Sequence, residues 1–258
     1  MLLFRTSLIL VLLMFVSTFV HASTFKVHPL RFQFDGEKKS DVLKLTNTSD
    51  NAVTVQLESV KWAQDSAGND LYEPTQDIIF FPKIVTLEKD QQRIVRIGYR
   101  GEPALKHEKF YRLFAQELPG QGQKQGALNF SFRFSMPIFI KAKQQQPKHK
   151  ITRTSVRNGA IHVTMENTGN SHYLVKKIFA VAQDQSQTDL STVETSGWYI
   201  LPGVERTFTI PLQEADCRAA KQYLLAVQAG KKTLHSQTSI DAEQCKAIAR
   251  KKTQVAGP

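Results

Sequence analysis

From Ser23 onward the apolar residues of this chain alternate with polar ones instead of recurring every three or four positions, and clusters of Gly, Asn, Asp and Ser separate the alternating runs. A period of two places successive side chains on opposite faces of an extended strand, so the chain is predicted to be all-β. In the first half the runs are Phe25–Phe34, Ser40–Leu45, Val53–Trp62, Ile78–Leu87, Ile94–Tyr99, Phe110–Glu117 and Leu128–Ile140. Short strands joined by polar turns point to an immunoglobulin-like sandwich. The second half repeats the pattern less regularly, over Ile151–Val156, Ala160–Asn167, Tyr173–Gln183, Gly197–Leu201, Arg206–Leu212, Gln222–Ala229 and Lys231–Ile240. Asp65–Glu73 is predicted to be an irregular loop, and no segment carries a helical apolar period.

Lys141–Lys150 is polar, contains Pro147 and has no apolar period, which marks a boundary. Two immunoglobulin-like β-sandwich domains are therefore expected, over 23–143 and 150–246, followed by a basic tail, 247–258, without a strand pattern. A chain of 258 residues is long enough for each domain to bury its own core.

Residues 1–22 read differently. Arg5 precedes the apolar run Thr6–Val20, and Val20 and Ala22 place small side chains where cleavage after Ala22 would leave them. The run falls short of the roughly 20 residues of a bilayer span, so it is read as a secretory signal. Export to an oxidising compartment favours a disulfide between Cys217 and Cys245, clamping the base of the hairpin that turns at Ala229-Gly230-Lys231. Such a loop contributes about 3–4 kcal/mol in the chain-entropy account. Neither Cys has a His neighbour at metal-ligand spacing.

The formal net charge is +11, and Arg5 is the one charged residue that leaves with the signal. A basic protein attracts anionic partners, yet export argues against nucleic acid. The densest clusters, Lys148–Lys150 and Arg250–Lys252, read as solvated ends. Enzyme signatures are missing too: the sequence holds neither G-x-S-x-G nor H-E-x-x-H, and its 7 His are scattered. Gly120-Gln-Gly-Gln-Lys-Gln-Gly126 lies between two strand-like runs with no helix after it, so it reads as a hairpin loop and not a phosphate cradle. The acidic pairs Asp65/Asp70 and Asp184/Asp189 sit in turns. The expectation is no catalytic residue, no metal and no cofactor.

The most informative run is Leu128-Asn-Phe130-Ser-Phe132-Arg-Phe134-Ser-Met136-Pro-Ile138-Phe-Ile140. Every even position is large and apolar, while the odd positions are mostly polar. Periodicity alone fits a core strand; Pro137 and the Gln/Gly-rich loop before the run favour an edge, because Pro offers no ladder donor. A long apolar edge is an aggregation hazard unless it exists to pair with another chain, and strand addition is a known binding mode.

With Arg31-Phe-Gln-Phe34-Asp-Gly36, Asp41–Thr48 leading into Asn51–Val55, Pro82–Leu87, Gln92–Arg96, Tyr111-Arg112 through Glu117-Leu-Pro119 and Met136–Phe139, the first half resembles the N-terminal domain of periplasmic pilus-assembly chaperones of the chaperone–usher pathway, the PapD-like family. In the second half, Met165–Tyr173 and Leu201-Pro-Gly203 are similar to landmarks of that family's second domain. The resemblance implies a boomerang of two immunoglobulin-like domains in the periplasm. It implies capture of incompletely folded pilus subunits by donor-strand complementation, and their delivery to an outer-membrane usher. Leu128, Phe130, Phe132, Phe134 and Met136 would be the lent strand. The family anchors the subunit's terminal carboxylate with an Arg and a Lys. The Arg maps to Arg31, but Pro137 stands where many members have the Lys, which resembles the divergent branch that builds archaic or spore-coat-like pili. Arg112 on the neighbouring strand is expected to replace the cation, with Lys141 as second candidate; Arg133 has the polar-face parity but lies about 13 Å along the strand from Pro137.

Two other classes compete: a pilin-like structural subunit, and an exported basic protein that binds envelope polymers. Pilins usually carry the donor segment at the N-terminus, whereas this row is internal. A polymer binder needs exposed aromatics, and Trp62 and Trp198 sit in strand-like runs that predict core packing. The sequence leaves open whether the unliganded chain shields its edge by self-association, and what the tail does.

Overall fold

Strands dominate the computed structural model of the protein, which describes residues 24–104, 106–119 and 131–246. The signal segment 1–22, the residues Leu128 and Phe130, and the tail 247–258 lie outside the described residues. The first half contributes β1 (Phe25–His28), β2 (Phe32–Phe34), β3 (Ser40–Asn47), β4 (Val53–Gln64), β5 (Asp70–Pro74), β6 (Ile78–Phe81), β7 (Ile84–Leu87), β8 (Gln92–Tyr99), β9 (Lys109–Glu117) and β10 (Arg133–Ile140). The second contributes β11 (His149–Arg157), β12 (Ala160–Asn167), β13 (Tyr173–Gln183), β14 (Asp189–Ser196), β15 (Tyr199–Ile200), β16 (Glu205–Pro211), β17 (Gln222–Ala229) and β18 (Lys232–Ser239).

Among the described residues the first half makes one sheet in the order β1-β3-β8-β6 and another in the order β2-β10-β9-β4-β5, with β7 also on β4. Their facing sides enclose a core that includes Phe25, Phe32, Phe34, Leu43, Leu45, Val95, Ile97, Tyr111, Leu113 and Ile138. The second half pairs β11-β12-β16 in one sheet and β14-β13-β17-β18 in the other, with β15 on β13. The fold is thus the expected two-domain β-sandwich.

Prolines break two of the predicted runs. Phe25–Phe34 divides at Pro29 and Ile78–Leu87 at Pro82, where the chain crosses from one sheet to the other. Two strands and a helix escape the sequence pattern. β5 occupies part of the predicted Asp65–Glu73 loop; as an edge strand it is exposed along almost its whole length, so no buried face imposes alternation on it. β14 likewise edges its sheet and buries little. The helix α1 (Glu214–Ala219) spans 6 residues, too few to display an apolar period. Cys217 in α1 bonds to Cys245 in a 3₁₀ turn after β18, so the disulfide closes the base of the β17–β18 hairpin.

The cores are not independent. Trp62 and Phe139, from the first sandwich, are buried in the core of the second. On β10 the even residues Met136, Ile138 and Ile140 enter the first core, and Phe139 enters the other. Polar pins reinforce this joint. Buried Glu108 accepts from the His172 backbone N–H at 2.8 Å and from Gln145 Nε2 at 3.2 Å, and lies 2.7 Å from His172 Nδ1. The His172 ring stacks on Phe139 at 3.7 Å. Asn170 Nδ2 donates to the carbonyls of Lys106 and Gln144. At Gly169 a Cβ would stand 2.1 Å from the Gln146 carbonyl, so the connection 141–148 can pass there only over a glycine.

Candidate functional site

The site is organised by the register of β10. Along its full length β10 pairs antiparallel with β9, from Arg133↔Gln116 to Ile140↔Lys109. On its other side β2 reaches only Ile138, Phe139 and Ile140, in parallel. Among the described residues the strand is therefore internal at one end and an edge at the other. The Glu117 N–H donates to the Phe132 carbonyl, and antiparallel ladders alternate, so even residues of β10 bond to β9 and odd residues turn their backbone groups outward. The Lys141 N–H, which donates to the Phe34 carbonyl of β2, confirms that parity. Arg133 and Ser135 accordingly present their N–H and C=O groups at an edge that β2 does not cover. Pro137 sits at an outward position, where its missing N–H costs the β9 ladder nothing.

Side chains follow a matching gradient. Ile138 and Ile140 are fully buried in the first core, while Phe132 and Phe134 are half-buried against its rim, with the Phe134 ring edge-on to Phe25 at 5.0 Å. Met136 corrects the sequence expectation. At 1% exposure it already belongs to the protein's own core, because the pairing with Leu113 places it below the rim; it has no surface to lend. Of the predicted row, the described residues able to reach a partner are Phe132 and Phe134.

The predicted cations separate into two places. Arg31 immediately precedes β2, whose Phe32 pairs with Ile138, and the neighbouring Pro137 pairs with Arg112 on β9. Exposed Arg31 shares a shallow groove of about 310 Å³ with Lys141, Gln33 and Asp35. The Lys38 and Glu37 amides hold the Asp35 carboxyl below its ordinary range, so the groove carries an anion of its own.

Arg112 is closed off instead, at 2% exposure. Its guanidinium lies 3.8 Å over the Trp62 ring, 5.3 Å from Trp198 and 5.8 Å from Tyr199. Burial pushes its pKa down, opposed by Tyr72, Asp70 and Tyr199. Asp70 Oδ2 is 3.9 Å from Nη2, beyond hydrogen-bond reach, and Ser135 Oγ is at 3.5 Å from Nη1. Asp70 is held by other donors: Gln64 Nε2 at 3.0 Å and Trp198 Nε1 at 3.2 Å, the second from the other domain. Sequence reasoning singled out Arg112, assigned Asp70 to a turn where the structure has β5, and placed Trp198 in a core; that residue is 37% exposed. The signal was weak because this cage is assembled from three segments far apart in the chain.

Residues 24–145 match the family described as pili and flagellar-assembly chaperone, PapD N-terminal domain. The match spans the whole first domain, from β1 to the connection after β10. Solved structures similar to the chain include one from the pre-assembly complex of CsuC with the tip adhesion subunit CsuE, from archaic chaperone–usher Csu pili of Acinetobacter baumannii. That match has a TM-score of 0.57 and 19% identity, covering 83% of this chain and 98% of that one. The YadV chaperone matches with a TM-score of 0.55 and 11% identity, covering 84% and 100%. The CupB2 chaperone of Pseudomonas aeruginosa matches with a TM-score of 0.52 and 16% identity, covering 84% and 100%. At these identities the likeness is one of fold. No curated protein matches the sequence.

Proposed function

We propose that the chain is a periplasmic chaperone that captures pilus subunits by lending them the open end of β10 and passes them to an outer-membrane usher. The observation that carries this reading is the junction of two features at one place. The backbone of Arg133 and Ser135 faces an uncovered edge, and the neighbouring Phe132 and Phe134 are only half covered by their own sandwich. A partner that adds a strand there gains main-chain bonds and receives the aromatic side chains in pockets. The match of residues 24–145 to the pilus-assembly chaperone domain supports the same reading. The signal segment 1–22 would deliver the chain to the periplasm, and capture needs no cofactor and no covalent chemistry.

Magnitudes divide the labour. Each aromatic donor contributes roughly 1.5–3 kcal/mol on full burial, before ordering costs. A charge-assisted bond to a subunit carboxylate contributes about the same once, from whichever of Arg31, Arg112 and Lys141 makes it. The donor row therefore sets affinity, and the cations set register, because a slip of one residue turns every donor to the wrong face. The test is a pull-down with tagged mature protein from the periplasm of its host, with Phe132→Glu as control and mass spectrometry of the eluate. Small β-rich secreted proteins that the control loses support the proposal. Equal recovery by the variant, or nothing specific, removes it.

A further inference from the structure

Arg133 is the only charged residue of β10, and it stands at the open end of the strand. Its side chain lies on the outer face of the sheet, opposite the face that carries Phe132 and Phe134. The guanidinium is stacked 3.9 Å from the centre of the Phe114 ring, which Tyr72 meets edge-on at 5.6 Å, so its pose is fixed although the side chain is half exposed. A guanidinium has five N–H donors. Among the described residues Arg133 meets one carboxylate, Glu58, through Nη2 at 3.4 Å. Glu58 stands on β4, two strands back from the open edge, and neither β2 nor β10 carries an acid. On the edge side the cation therefore has no counter-charge among the described residues.

We propose that Arg133 is a charge filter on the lent edge: the strand captured there carries an acidic side chain opposite Arg133, alternating with the apolar residues that meet Phe132 and Phe134. The backbone of Arg133 turns outward, so whichever way the partner runs, one of its residues pairs directly with Arg133. That residue points its side chain to the same face, with Cβ atoms about 4.5–5.5 Å apart. An acid there meets a cation already ordered by stacking, so little ordering cost offsets the attraction, whereas a lysine meets like charge. The adjacent partner residues point to the other face, where the half-buried Phe132 and Phe134 rings select apolar side chains. Partner choice is then written as an alternation of apolar and acidic residues in the captured strand. This rests on the strand-lending reading and deepens it by naming the chemistry of the partner.

The probes are heptapeptides Val-X-Val-X-Val-X-Val, acetylated and amidated, with X as Glu, Gln or Lys. No terminal carboxylate takes part, and a slip of two residues leaves the pattern facing Arg133 unchanged. Calorimetry on the full-length mature protein should find the Glu peptide bound about threefold to fivefold more tightly than the Gln peptide, and the Lys peptide weaker than Gln by a similar factor. Arg133→Gln should remove most of that ranking, and Arg133→Lys should keep part of it. Lys232→Gln, which removes the same charge from an exposed position on β18, should leave it unchanged. A ranking that survives in Arg133→Gln as fully as in Lys232→Gln, or equal binding of all three peptides in the unaltered protein, overturns the filter. If Phe132→Glu still abolishes binding of the Gln peptide, strand lending stands without it. Binding of none of the three overturns both readings. The ranking in the unaltered protein carries the test even if a variant fails to fold.

Discussion

The two ends of β10 are written in one alternating pattern, yet they are built into different surroundings. Over Ile138–Ile140 the strand has β9 on one side and β2 on the other, and its side chains fill two cores. Over Phe132–Ser135 β2 is gone, the outward backbone groups face an open edge, and the aromatic row is only half covered. On the proposed function, the difference makes one strand both framework and tool: rigid pairing below fixes the register of what is offered above. Exposing a strand is an aggregation hazard, and among the described residues the open edge carries charged Arg133, 3.4 Å from Glu58, and ends at Pro137.

The contrast can be broken from either end. The largest effect is expected from Ile138→Asp, which buries a charge in the first core; a loss of more than about 4 kcal/mol in urea unfolding is predicted, and a loss below about 1 kcal/mol would contradict the framework role. Phe132→Glu should weaken subunit capture at least about 100-fold while changing unfolding stability by no more than about 1–2 kcal/mol, because its ring is half covered to begin with. Arg31→Ala, at an exposed position, should weaken capture by up to about tenfold and make the complex less salt-sensitive.

Tyr111→Phe sharpens the lower half. Tyr111 pairs with Ile138 and donates to Asp77 at 2.6 Å, so losing the hydroxyl should cost about 1 kcal/mol near neutral pH. Burial, reinforced by Asp77, lifts its phenol far above the ordinary value. The unfolded phenol sheds its proton near pH 10 while the folded one keeps it, so stability falls as pH rises past about 10. The variant should flatten part of that alkaline decline, leaving the contribution of Tyr173, which burial also raises. The smallest effect belongs to Pro137→Ala: its nitrogen faces away from β9, so the ladder is untouched, and trimming the buried ring should cost only about 1 kcal/mol of unfolding stability.

Legibility in the sequence followed burial. Strands with one face in a core, such as β3, β4 and β8, announced themselves because alternation is what a half-buried strand requires. β5 and β14 did not, since an exposed edge imposes no pattern. Pro137 and the Gln/Gly-rich loop correctly pointed to an edge, but where β2 stops covering β10 is a tertiary fact, and it decided that Met136 is core while Phe132 and Phe134 reach the rim. Arg112 could be singled out by counting along strands. Its partners could not, because Asp70 comes from an edge hairpin and Trp198 from the other domain.

The central claim is that the upper edge of β10 becomes a paired strand when a subunit is held. Amide hydrogen exchange, measured on the chaperone alone and in complex with the subunit recovered by pull-down, tests it residue by residue. The Arg133 and Ser135 amides should exchange readily in the free protein and become strongly protected in the complex, while Ile138, already bonded to β9, changes little. Capture that leaves Arg133 and Ser135 unprotected would contradict the account, because the subunit would then be bound by another surface.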